Sequence, residues 1–383
     1  MEDYLTHLLT QRQQASLYRT RQVHDSPQSP YLTIDGQRYL SFCSNDYLGL
    51  ANHPQIKADC QAAIDAYGVG SGASHLVNGH TTAHHALENT LAHFTHRESA
   101  LLFSTGYMAN LGVLTGLLGR EDAIFLDKLN HASLVDAALL SRANIYRYPH
   151  NDIQTLERLL AKSKAVHKMI VTDGVFSMDG DIAHLPAICD LAAHYHAWVM
   201  VDDAHGLGVV GETGRGSLEV YNLDVKKVPV LVGTLGKAFG VFGAFVAGSS
   251  LLTDALIQMA RTYIYTTALP PALAVALQTS AKLVEQEAWR RQHLHELVQY
   301  FRTEASYRGI ALTESTTPIQ PIILGESEKA LQVSHSLYEK HIWVTAIRPP
   351  TVPKGSARLR ITLSANHERA QVDELLMQLE ELL

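Results

Sequence analysis

The chain has 383 residues, a 46% hydrophobic and 18% charged composition, and a net charge of −7. Such a composition supports a large packed core and excludes a mainly disordered chain. The acidic balance, with no Lys/Arg run, excludes a nucleic-acid binder, which needs a basic face. Three cysteines (Cys43, Cys60, Cys189) without a CxxC pair give neither a disulfide framework nor a zinc knuckle. The N-terminus "MEDYLTHLLTQRQQ" lacks the apolar region of a signal peptide. No stretch nears 18 apolar residues, so no membrane span is expected and the cytoplasm is the expected compartment.

In chain order, residues 3–20 predict an amphipathic helix, and short strands follow at 31–34 and 39–42. "SNDYLGL" (44–50) connects them to an alternation of apolar runs and helical patterns. "ALLFS" (100–104) precedes a helix from about Tyr107. "AIFLD" (123–127) precedes "HASLVDAALLS" (131–141), and "KMIVTDGVF" (168–176) precedes "LPAICDLAAHYH" (185–196). "AWVMVDDAH" (197–205), "VPVLVG" (228–233) and "FGAFVAG" (242–248) are further strands. Continuous apolar strands alternating with helices predict a mostly parallel sheet covered on both faces. A long helical stretch then runs to about residue 305. Strands at 319–324, 342–347 and 357–363, with helices at 327–340 and 367–382, predict a smaller α+β unit. The expected division is an N-terminal segment, 1–45, packing with the small domain; a large domain, 46–285; and a small C-terminal domain, 286–383.

Ligands of such sheets sit beyond the carboxyl ends of the strands. Lys237, in "VGTLGKAFGVFG", follows a strand between glycines. Burial there would favour its neutral, nucleophilic amine. "VDDAHG" (201–206) sets carboxylates at a strand end with His205 three residues past Asp202. A buried carboxylate needs a cationic partner, which a protonated pyridine nitrogen would supply. Gly106 and Tyr107 lie where a strand passes into a helix, where free amides bind phosphate. Three other readings compete. "GLGVVG" (206–211) matches GxGxxG, but no good helix opening follows, which counts against NAD. A metal site of Asp202, Asp203 and His205 lacks further ligands. The histidine-rich stretch 80–96 has His80 and His84 at helical spacing, but reads as a surface or an interface. No metal is expected.

Taken together, these residues and the stretches "SNDYLGL", "GSGASHLVNGHT", "FSMDGD", "VDDAHGLGVVGETGRG", "GTLGKAFG" and "IRPPTVP" resemble the α-oxoamine synthases. These are pyridoxal 5'-phosphate (PLP) enzymes of transferase fold type I that condense an amino acid with an acyl thioester and release CO2. The resemblance runs from about Arg19 to His367. It implies that Lys237 holds the cofactor aldehyde as an imine and later moves the proton. Asp202 would pair with the pyridinium nitrogen, His205 would hold the phenolic oxygen, and Ser177 would add a polar contact. His131 would stack on the ring. Thr234 and the Gly106–Tyr107 turn would take the phosphate. Within the family, "IRPPTVP" resembles the branch in biotin synthesis that joins L-alanine to a pimeloyl thioester, on CoA or an acyl carrier protein, rather than the glycine-using branches. Arg19, Asn45, His131, Thr351 and Arg360 would then meet substrate, with Arg21 and Arg358 the same-face alternatives to Arg19 and Arg360. A homodimer is implied. His75, where arginine is common, and Asp173, where glutamate is common, depart from the family pattern. A catalytically dead subunit is disfavoured because Lys237 is present.

Overall fold

The computed structural model describes residues 1–383, which form two compact units. The larger comprises residues 50–177 and 181–291; the smaller comprises 1–49, 178–180 and 292–383.

The larger unit is built on a seven-stranded sheet. In spatial order its strands are Ser99–Phe103, Ala244–Gly248, Val230–Thr234, Trp198–Asp202, Lys168–Asp173, Ala123–Asp127 and Asn144–Tyr148. All run parallel except Ala244–Gly248, which is antiparallel to both neighbours. The apolar runs are continuous because both faces are covered, and side chains alternate between two cores with the two-residue period of a strand. Ile124, Leu126, Met169, Val171 and Met200 enter one core, with Val113 and Leu134 from the helices Gly106–Leu117 and Ala132–Ser141. Ala123, Phe125, Ile170, Val199 and Val201 enter the other, with Leu156, Leu160 and Ile188 from helices Ile153–Lys162 and Leu185–His194. The parallel strands therefore all deliver their carboxyl ends to one edge of the sheet. The sequence pattern missed the strand Asn144–Tyr148 and the helices Pro54–Tyr67 and Ile153–Lys162.

The smaller unit carries two three-stranded sheets. In one, Ile319–Gly325 and Thr345–Ile347 flank Ala357–Thr362, both antiparallel to it. The other joins Tyr31–Ile34, Gln37–Ser41 and Ile342–Trp343. The run 342–347, expected as one strand, is thus divided: Ile342 and Trp343 pair with Leu40 and Ser41, while Thr345–Ile347 pairs with 358–360. Buried Val344 is the point where the chain changes sheets. The long helical stretch also divides, into Pro271–Gln286 and Ala288–Tyr307. At the N-terminus the helix spans only Glu2–Gln14 and buries no residue, so its expected apolar face has no core beneath it. No helix is long and apolar enough to cross a membrane.

Candidate active site

Every cofactor residue expected from the sequence belongs to the larger unit and lies at or just past the carboxyl end of one of its strands. Lys237 lies three residues past the strand Val230–Thr234. Its Nζ is 2.8 Å from Nε2 of His205, which follows the strand Trp198–Asp202. Asp202 is the last residue of that strand and is 5% exposed. Its Oδ2 accepts from Asn110 Nδ2 at 2.7 Å, and its Oδ1 accepts from the amide of Ala204 at 3.1 Å. The same Asn110 nitrogen donates to Ser133 Oγ at 2.8 Å, and that hydroxyl lies 2.7 Å from His131 Nδ1. A relay of short polar contacts therefore ties His131 to Asp202 through Ser133 and Asn110. Sequence reading missed Asn110 and Ser133. The available signal was helical spacing, since Asn110 sits three and four residues beyond Tyr107 and Gly106.

Asp173 stands directly opposite Asp202 in the register of the two strands. Burial first, and then the charge of Asp202, drive its carboxyl well above the usual range. The His131 amide donates to its Oδ2 at 2.8 Å. So this departure from the family pattern fixes the start of helix Ala132–Ser141, which carries His131 at its N-cap. Burial lowers the His131 pKa, which favours the neutral imidazole suited to stacking on a ring. His75, the other departure, lies flat on Tyr263, with ring centroids 4.9 Å apart and planes 11° apart.

The remaining candidates are more mixed. Gly106 and Tyr107 open helix Gly106–Leu117, and a Cβ added at Gly106 would meet no atom within 4 Å. Their first-turn amides have no partner inside the helix, as an anion cradle requires. The Tyr107 hydroxyl bonds Asp136 on the neighbouring helix. Thr234 Oγ1 donates to the Gly243 carbonyl at 3.2 Å and accepts the Gly236 amide at 3.4 Å, so it shapes the turn before Lys237. Ser177 is half-buried just past the strand Lys168–Asp173.

The glycines of "GLGVVG" have a different use from a dinucleotide loop. A Cβ at Gly206 would fall 2.1 Å from Asp203 Oδ1, and one at Gly211 would fall 2.2 Å from Glu219 Oε2. Close approach to two carboxylates requires glycine there. Asp203 is fully buried and accepts the Ser217 amide at 2.7 Å, and burial pushes its carboxyl up to about 7. Asp202, Asp203 and His205 thus turn to Asn110, Ser217 and Lys237 respectively, rather than converging on one point.

The smaller unit holds the expected substrate residues other than His131. Arg358 and Arg360 share one face of the strand Ala357–Thr362, and both are buried. Arg358 Nη1 is 2.6 Å from Asp179 Oδ1 and also donates to the Met178 carbonyl at 3.1 Å. Arg360 Nη1 donates to Asn45 Oδ1 at 3.2 Å and Thr362 Oγ1 at 3.0 Å. Arg19 and Thr351, with Arg348 and Tyr18, line a cavity of about 600 Å³; Arg21 does not. Burial, then the neighbouring charge of Arg19, lowers the Arg348 pKa.

A fold-type-I sheet with a lysine, a buried aspartate and a helix N-terminus at its carboxyl edge is the frame of a PLP-dependent enzyme. The donor set fits that cofactor: an acid for the pyridine nitrogen, an amine for the aldehyde, and open amides for the phosphate. The model of the aminotransferase class I and II family matches residues 37–379. The 8-amino-7-oxononanoate synthase of Cellvibrio japonicus is 56% identical over 98% of this chain and 94% of its own length. That of Nitrosococcus oceani is 57% identical over 98% of this chain and 100% of its own. Among solved structures, a serine palmitoyltransferase variant from S. paucimobilis with a bound PLP–myriocin aldimine has a TM-score of 0.93. It is 30% identical, over 99% of this chain and 96% of that one. The chain belongs to the aminotransferase class I and II family, in the group of the 8-amino-7-oxononanoate synthases.

Proposed function

We propose that the chain condenses L-alanine with a pimeloyl thioester, giving 8-amino-7-oxononanoate, CO2 and the free thiol, as a step of biotin biosynthesis. The reaction follows from relatives of that name at 56–57% identity over nearly the whole chain. The observation that carries the chemistry is Lys237 Nζ held 2.8 Å from His205 Nε2, on the same strand edge as buried Asp202. When bound, PLP supplies a ring that accepts the electrons released at the amino acid's Cα. Lys237 Nζ would hold the cofactor at its aldehyde, and this amine is placed to take the proton from the amino acid's Cα and to return it. Asp202 would pair with the pyridine nitrogen and hold a proton on it. His131 stacks against the ring, oriented by Ser133 and by the bond of its amide to Asp173. The amides at Gly106 and Tyr107 hold the phosphate. Thr234 shapes the turn that delivers Lys237, and Ser177 and His205 would add polar contacts.

Arg360 is assigned to the alanine carboxylate, because Arg358 is committed to Asp179. Asn45 positions Arg360 through its side-chain carbonyl. Arg19 and Thr351 meet the acyl substrate in the cavity they line. The assembly is a homodimer, which sedimentation of the purified protein tests.

The deciding experiment starts from purified protein reconstituted with PLP. A visible absorption band develops, and borohydride reduction fixes the cofactor on the peptide holding Lys237. L-Alanine with pimeloyl-CoA then releases thiol and CO2 and forms a product of the mass of 8-amino-7-oxononanoate. Fixation with no product from alanine, but turnover with glycine and another acyl-CoA, would move the chain to a different branch of the family. No fixation at Lys237 would end the reading.

A further inference from the structure

The histidine-rich stretch gains a definite geometry in the structure. His80 precedes the helix Thr82–Phe94, while His85 and Glu88 lie one turn apart on it. The helical spacing of His80 and His84 is misleading. His84 spends Nδ1 on the Thr81 amide at 3.0 Å and Nε2 on the Leu269 carbonyl, so both ring nitrogens are occupied. The group that converges is His80, His85 and Glu88, each offering one ligand atom, all within 4.8 Å of one another. His80 Nε2 is 3.8 Å from Glu88 Oε2.

We propose that His80, His85 and Glu88 bind a divalent transition-metal ion of the Zn²⁺ class, with water completing a four-coordinate shell. Two imidazoles and a carboxylate are a ligand set that such ions accept. Bonds of about 2.0–2.1 Å require the ligand atoms to close to about 3.4 Å. His85 is exposed and meets His80 only edge-on, with ring centroids 6.3 Å apart, so this contraction falls mainly on the His85 rotamer. Glu88 is the fixed point: its side chain is 13% exposed and its Oε1 accepts the Leu102 amide at 3.1 Å, which leaves Oε2 aimed at His80.

The surroundings also prepare the ligands. A metal-binding imidazole donates its other ring N–H to a second group. His80 Nδ1 lies 2.9 Å from His75 Nδ1. That contact gives the His80 ring the second partner that a metal-binding imidazole needs. The Glu88 side chain is largely buried, and a cation would offset the cost of holding its charge there. His75 also stacks on Tyr263, so the site is braced through two shells.

The site differs in every residue from the proposed cofactor site, so its test is independent of the reaction. Metal-stripped holoprotein is titrated with Co²⁺, whose d–d bands report coordination, and with Zn²⁺ by equilibrium dialysis. The expected result is saturable binding of one ion per chain, with Zn²⁺ displacing Co²⁺. His85→Ala, on the exposed side of the helix, and Glu88→Gln should each weaken it by at least about tenfold. His93→Ala, an exposed histidine elsewhere on the helix, should leave it unchanged. Unsaturable binding, or equal affinity in parent and His85→Ala proteins, would overturn the proposal, as would equal losses in His85→Ala and His93→Ala.

Discussion

The carboxyl edge of the seven-stranded sheet and the strand Ala357–Thr362 both bury charge, in opposite ways. At the sheet edge, Asp173, Asp202 and Asp203 are buried within one strand spacing of each other, and mutual proximity raises Asp173 further. On the small strand the buried charges are two arginines, and Arg358 is met at once by Asp179. Like charges buried together are costly unless a cation joins them, whereas an arginine paired to a carboxylate is structurally complete. The first arrangement would be completed by the cationic ring proposed to meet Asp202; on the second, the arginine not spent on Asp179 is the one proposed to meet substrate.

The sharpest break of this contrast is at Lys237. Lys237→Ala should lower turnover by about a thousandfold or more and leave PLP unfixed by borohydride, while far-UV circular dichroism is unchanged. Asp202→Asn keeps the shape and the Asn110 contact but removes the charge. Turnover should fall about a hundredfold, with PLP still bound; near-normal turnover would mean the acid is only structural. On the small strand the two arginines should separate. Arg360→Lys loses the planar fork and should raise the KM for alanine about tenfold or more with a smaller change in kcat. Arg358→Met should instead cost about 2–3 kcal/mol of stability in urea, because Asp179 is left near the surface without its partner, and should spare the KM. If both variants moved the KM equally, the division of labour would be lost.

The smallest effect concerns Asp203. Its carboxyl rises from 3.8 to about 7 on folding, so the folded chain keeps a proton that the unfolded chain releases in that window. Stability from this group is therefore present at the acid end and declines as pH climbs from about 4 to 7. Asp203→Asn should flatten the pH dependence by roughly 1–2 kcal/mol relative to the parent, measured as urea midpoints across the window.

Much of the sheet was legible because strands covered on both faces are apolar without interruption, as in Ala123–Asp127 and Ala244–Gly248. The strand Asn144–Tyr148 was not, because it sits at the sheet edge and exposes Asn144 and Arg147. The positions of Lys237, Asp202, His205 and His131 at the strand ends were legible because each lies at or just past a readable strand. Asn110 and Ser133 were not, since a polar residue on a helix reads as solvated until the fold turns it toward a buried acid.

The order of strands and helices, the lysine after its strand and the aspartate at the end of another were fixed by local pattern, since periodicity and strand ends are properties of neighbouring residues. Tertiary structure alone paired Arg358 with Asp179, placed Asp173 across from Asp202, and brought His80, His85 and Glu88 within 4.8 Å of one another. Those outcomes depend on which distant groups meet, and a contact between residues such as Arg358 and Asp179, far apart along the chain, leaves no mark in the spacing of either.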